Sequence, residues 1–189
     1  MLKKILVAAF IAEVSLLAHT GVGNISGFSA GFSHPVGGVD HILAMFAVGL
    51  WAAQMGGRAV WAVPLSFITM MIAGAILGVQ GVNVPFIENG ILASVLVLGT
   101  MIGFGVKMPV GFSSAIVGLF AVFHGAAHGC EMPLNVGGIE YAAGFILATA
   151  MLHAAGIALG SIMHKIAQSK ISRIAGGSIA VAGLALAIS

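Results

Sequence analysis

Six apolar runs of about 20 residues, joined by short connections, set the limits on what this chain can fold into. A helix of that length crosses a hydrocarbon core of about 30 Å. The runs fall at about 35–55, 59–79, 86–106, 109–129, 138–163 and 171–188. Only 6% of the residues are charged and 60% are hydrophobic, whereas a soluble domain is about 25% charged. In lipid the backbone must satisfy its own hydrogen bonds, which leaves helices or a closed barrel. Spanning strands would alternate over segments of about ten residues, and these Ala/Leu/Ile/Val/Gly runs do not. The expected fold is all-α: a polytopic membrane protein built as a bundle of six transmembrane helices.

Short cytoplasmic connections collect Lys and Arg. Here Lys3 and Lys4, then Arg58, then Lys107, then Lys165, Lys170 and Arg173 fall on alternate connections, so all seven basic residues share one side. Glu88, Glu131 and Glu140 fall on the intervening connections. This pattern places both ends of the mature chain outside. Residues 1–18, with two lysines ahead of an apolar stretch, read as a secretory leader; if retained they add a seventh helix. Cleavage after Ala18 would expose His19 with a free α-amine, a chelating pair. The mature domain is then 19–189. Residues 19–36, rich in Gly and Ser, read as an external loop leading to Pro35, which suits a helix's first turn.

Small-residue pairs recur four residues apart: Gly74 with Gly78, Gly99 with Gly103, Gly125 with Gly129 and Gly156 with Gly160. Such spacing lets helix backbones approach in lipid, and a compact bundle is expected. The sequence leaves open whether copies associate into a homo-oligomer. Dispersed basic residues give no nucleic-acid stripe. There is no P-loop, so an ATP-driven activity would need a partner subunit. The single cysteine, Cys130, excludes an internal disulfide.

Against this apolar background, two stretches hold four of the seven histidines and two of the five acids: His34-x5-Asp40-His41 and His124-x3-His128-x2-Glu131. Ionisable groups inside a membrane are costly and mark functional sites. His124, His128 and Glu131 lie along one helical stripe spanning roughly 10 Å, with Glu131 at the outer mouth. Asp40 and His41 fall within two turns of the outer start of an antiparallel helix, and His34 just before it. Imidazole and carboxylate together suit Ni²⁺, Co²⁺, Zn²⁺, Fe²⁺ or Cu²⁺ rather than Mg²⁺ or Ca²⁺. Asp40 or Glu131 can serve by accepting the second ring N–H of a ligating histidine. Gly37, Gly38, Gly125 and Gly129 would let the two motif helices come together. His153 lies deeper, as a relay or a packed residue. Met45, Met70, Met71, Met101 and Met151 can act as soft ligands or as gap-fillers and are assigned to core packing, and Glu88 and Glu140 are expected to be solvated acids at the outer face that attract cations.

The first stretch, continued through Leu43-Ala44-Met45 and Val48-Gly49-Leu50-Trp51-Ala52-Ala53, resembles one signature of the HupE/UreJ family of nickel and cobalt permeases. Phe123-His124-Gly125-x-Ala127-His128-Gly129-x-Glu131 resembles the other. The Ala18-His19-Thr20-Gly21 junction and the overall length are also similar. The resemblance implies uptake of Ni²⁺, or Co²⁺, across a bacterial cytoplasmic membrane, supplying metalloenzymes such as hydrogenase or urease. It implies that His34, Asp40, His41, His124, His128 and Glu131 are the functional set. The metal is cargo, and no bound cofactor is expected. Two other classes stay open: an intramembrane zinc enzyme with three ligands and an activated water, and a metal sensor or accessory protein that binds without transport.

Overall fold

The computed structural model describes residues 26–167 and 170–188. The leader-like segment 1–18 and His19 lie outside the described residues. Seven helices follow in order: α1 Gly27–Gly37, α2 Val39–Met55, α3 Ala59–Val79, α4 Ile87–Phe104, α5 Val110–Cys130, α6 Gly138–Ala167 and α7 Lys170–Ala187. Five are long and apolar enough to span a membrane, and α1 with α2, bent by 83° to each other, meets the same test as a pair, as a broken span or a re-entrant loop. The polytopic all-α expectation therefore holds, with five to six candidate spans.

That break corrects the reading of 26–36 as loop and of 35–55 as one helix. The Ser26 side chain caps α1, accepting a hydrogen bond from the Ser29 N–H at 3.2 Å, a role that suits serine at a helix start. The glycines taken for loop residues are packing residues instead. A side chain on Gly31 would run into the Tyr141 carbonyl, and one on Gly144 into that of Phe28, so α1 lies flush against α6. Pro35 sits in the last turn of α1 rather than the first turn of a span. Gly38, in extended conformation, separates the two helices.

α2 is the central helix. Ala44, Met45, Ala47, Val48, Leu50, Trp51 and Ala52 are all fully buried, and it touches α3, α4, α6 and α7. A helix apolar all round belongs in such a position. The closest pairings are α3 with α5, α4 with α7, and α2 and α1 with α6. All four predicted glycine pairs sit at these crossings. A Cβ on Gly78 would lie 3.0 Å from Gly129 Cα, one on Gly103 3.2 Å from Gly177 N, and one on Gly160 2.8 Å from Ala53 Cβ. A larger residue at any of them pushes backbones apart and forfeits the dispersion contacts that hold helices together in lipid. Trp61, Leu65, Leu119, Ile162 and Val181 face outward, as a lipid-contacting belt does. Met70 and Met151, assigned to the core from sequence, are on that belt.

The two ends of the bundle differ. At the end carrying the basic connections, the Trp51 indole N–H donates to Val106 O at 3.0 Å, Gln54 to Ile102 O at 3.2 Å and Arg173 to Gly103 O at 3.0 Å. These bonds tie α2, α4 and α7 together. Gly105 ends α4 in the left-handed region (φ 70°), where a Cβ is disfavoured, and this lets the chain turn under Trp51. At the opposite end the bundle is open.

Candidate metal-handling site

The opening is a cleft of about 320 Å³ bordered by His34, Asp40, His41, Glu88 and Glu131. Liquid water occupies about 30 Å³ per molecule, so a hydrated divalent ion fits. Three carboxylates and two imidazoles frame it, contributed by α1, α2, α4 and the end of α5. Helix α5 stops at Cys130, and the Glu131 N–H still bonds Ala127 O four residues back, so Glu131 closes the last turn of the stripe.

From the cleft, a file of rings runs inward. His34 Nε2 lies 2.9 Å from Glu131 Oε2. The His34 ring stands 4.8 Å from that of His128, His128 5.0 Å from His41, and His41 4.9 Å from His124. Side-chain exposure is 56% at Glu131, 26% at His34 and 12% at His41, and His128 and His124 are fully buried. The six predicted residues are thus brought together, with Glu131 and His34 wetter than the three rings beyond them. His34 is on the last turn of α1 rather than ahead of a helix, so the break at Gly38 is what aims it at Glu131.

Hydrogen-bond logic fixes which ring nitrogens are free. Asp40 Oδ1 sits 3.0 Å from His41 Nδ1 and also accepts the His41 backbone N–H at 2.8 Å. A carboxylate only accepts, so Nδ1 carries a proton and the neutral ring has its lone pair on Nε2. At His124, Nε2 lies 3.0 Å from Ser94 Oγ, whose own proton is donated to Ile91 O at 2.6 Å. His124 Nε2 must then be the donor, leaving Nδ1 bare. Both bare nitrogens, with both ring nitrogens of His128, are buried without a hydrogen-bond partner. Leaving a buried polar atom unpaired costs about 1–3 kcal/mol. Several clustered in one place amount to a sizeable part of a domain's net stability, about 5–15 kcal/mol. An array of oriented nitrogen lone pairs is what a cation with imidazole affinity requires.

Among the described residues, no three His, Cys, Asp or Glu side chains are gathered tightly enough to hold one ion between them. The donors form a line, not a cage. Gly125 and Gly129 do not bring α5 to α2 as expected; side chains there would collide with the Met71 and Ala75 carbonyls of α3. The motif helices meet instead through their imidazoles, which need the space between backbones. Gly38 has a local role: a Cβ there would lie 2.7 Å from Asp40 Oδ1 and 3.1 Å from His41 Nδ1. Gly37 meets nothing. Cys130 is exposed.

Glu88, expected to be a solvated acid that attracts cations at the outer face, borders the cleft. One residue escaped the sequence reading. Ser94, not singled out, orients His124; a hydroxyl in mid-span of an apolar run was the available signal.

The sequence model of the HupE / UreJ protein family matches residues 6–186. Protein HupE of Rhizobium leguminosarum bv. viciae is 44% identical over 173 residues, covering 91% of each chain. No solved structure matches. A matched length that takes in both histidine motifs and all but the last residue of the described helices makes this chain a member of the HupE/UreJ family.

Proposed function

We propose that the protein is a permease for nickel, with cobalt as a second cargo, that carries the ion inward across the bacterial cytoplasmic membrane. The family's association with nickel and cobalt uptake for hydrogenase and urease supports this. The observation that carries it is the file of oriented imidazoles leading inward from a carboxylate-lined cleft. On this reading Glu131, Asp40 and Glu88 concentrate hydrated cations at the mouth. His34, His128, His41 and His124 then replace water a few ligands at a time. Conduction requires binding strong enough to admit the ion and weak enough to release it. A row of mostly neutral donors with no closed cage suits that requirement, because each position hands the ion to the next. Imidazole favours late first-row metals over Mg²⁺ and Ca²⁺.

The orientation is part of the proposal: the Glu131 end faces outward, residues 1–18 are a leader, and 19–189 are the transport domain with both termini external. The sole cysteine, Cys130, is exposed beside Glu131. A membrane-impermeant thiol reagent added to intact cells is therefore expected to label it. Labelling only after the cells are broken would reverse the orientation.

The functional test is nickel accumulation by cells at limiting external metal. With matched protein levels, His128→Ala is expected to fall to the level of cells lacking the protein. Unchanged accumulation would remove the imidazole file from the path. In reconstituted vesicles, binding without influx would favour a sensor, and turnover of an added substrate an enzyme.

A further inference from the structure

Beneath the file lies a second set of donors. Met45 on α2, Met71 on α3 and Thr149 on α6 are fully buried, and His153 on α6 is 2% exposed. The Thr149 hydroxyl lies 3.4 Å from Met45 Sδ and 3.7 Å from Met71 Sδ, so both thioethers flank one point on α6. His153 is one helical turn further along the same face. Its Nδ1 is 2.7 Å from Met45 O. A carbonyl can only accept, so Nδ1 bears the proton and the neutral ring has its lone pair on Nε2. That nitrogen is buried and has no hydrogen-bond partner.

Packing alone accounts for the methionines, which commonly fill gaps between helices. It does not account for a histidine whose tautomer is set by a backbone carbonyl and whose other nitrogen is left bare. That is the arrangement by which proteins prepare a histidine to ligate a metal. The place also continues the path. The Phe67 ring stands 5.5 Å from that of His124 and 5.0 Å from that of His153, so one aromatic side chain separates the last ring of the file from this group. The scaffold is close-packed: a side chain on Gly49 would run into the His153 carbonyl, which fixes α2 against α6.

We infer that His153 Nε2, Met45 Sδ and Met71 Sδ form a deeper station for a late transition-metal cation. Its role in transport rests on the permease reading; its existence as a metal site does not. All three donors are neutral, whereas the mouth has three carboxylates, so the station binds more weakly and favours onward release. Thioether with imidazole also rejects the hard cations Mg²⁺ and Ca²⁺, which makes it a second filter.

Full-length Cys130→Ser protein, purified and saturated with Ni²⁺, is read by X-ray absorption at the Ni K edge. Sulfur neighbours are expected, and are expected to vanish when Met45→Leu and Met71→Leu are added while the nitrogen and oxygen shell remains. A spectrum of Cys130→Ser with only nitrogen and oxygen neighbours overturns the station. In vesicles, the Met45→Leu/Met71→Leu chain and His153→Asn, which keeps an N–H for Met45 O but removes Nε2, are expected to slow Ni²⁺ influx by about tenfold, with apparent affinity for external Ni²⁺ unchanged. Wild-type influx rates in both would overturn the transport role. No influx through the wild-type protein would instead overturn the permease reading, while the edge spectrum still decides the station.

Discussion

The two ends of this bundle are built from the same glycine-rich helices and differ in what their polar groups do. At the basic end, Trp51, Gln54 and Arg173 spend their N–H groups on backbone carbonyls of the α4 terminus and the loop after it, which seals helix to helix. At the acidic end, Asp40 and Ser94 engage one nitrogen each of His41 and His124 and leave the other bare. Hydrogen bonds therefore close one end and arm the other. The difference teaches that an intramembrane polar group is interpreted by the atom it leaves unpaired, not by its being polar.

The largest effect is expected from breaking the arming bond at the mouth. Asp40→Ala frees His41 to rotate and to change tautomer, and removes a mouth carboxylate. Loss of an orienting partner of this kind typically costs 10–100-fold in metal affinity, so calorimetric titration with Ni²⁺ is expected to show a fall of roughly that size. An unchanged affinity would show that Asp40 acts on nothing but the local turn. Ser94→Ala removes the acceptor for His124 Nε2–H, deeper in the file; a loss of about tenfold is expected, with Ser94→Thr restoring most of it. If Ser94→Thr fails as badly as alanine while the protein stays folded, space rather than the hydroxyl is what matters there. Gly38→Ala should behave as a milder Asp40 variant, a loss of about threefold through displaced Asp40 Oδ1.

The sealed end should respond in stability and not in metal binding. Trp51→Phe leaves Val106 O without its donor and is expected to cost about 1 kcal/mol, seen as a lower unfolding temperature in detergent with Ni²⁺ affinity unchanged. A loss of affinity matching that at Asp40 would erase the distinction between the ends. The smallest effect is expected at Met151→Leu. Met151 is exposed on the outside of the bundle, so both stability and uptake should stay at wild-type levels, in contrast with Met45 and Met71.

Much of this was legible in the sequence because it rests on one-dimensional quantities. Span length and the alternation of Lys and Arg give the helices, and the i, i+4 spacing puts His124 and His128 on one face. The glycine pairs announced the crossings, because close approach in lipid needs a missing side chain wherever it occurs. The break between α1 and α2 was not legible. Gly and Ser at 26–31 have weak helix propensity, and only the flush contact of Gly31 and Gly144 with the facing helix makes a helix there favourable. Nor was the role of Ser94, which acts on a residue 30 positions away. The expected pairing of Gly125 and Gly129 with the other motif helix failed for a related reason. Glycine marks a close backbone contact without naming the partner, and α3 took that position.

The central claim is that bare imidazole nitrogens carry the ion from the open end into the bundle. It is met most directly by time-resolved Ni²⁺ influx into vesicles holding wild-type protein or His41→Ala at equal protein content. His41 is the ring that bridges His128 and His124. Saturable influx through the wild-type protein, reduced at least about tenfold in the variant, is the predicted result. Equal influx through both would contradict the account.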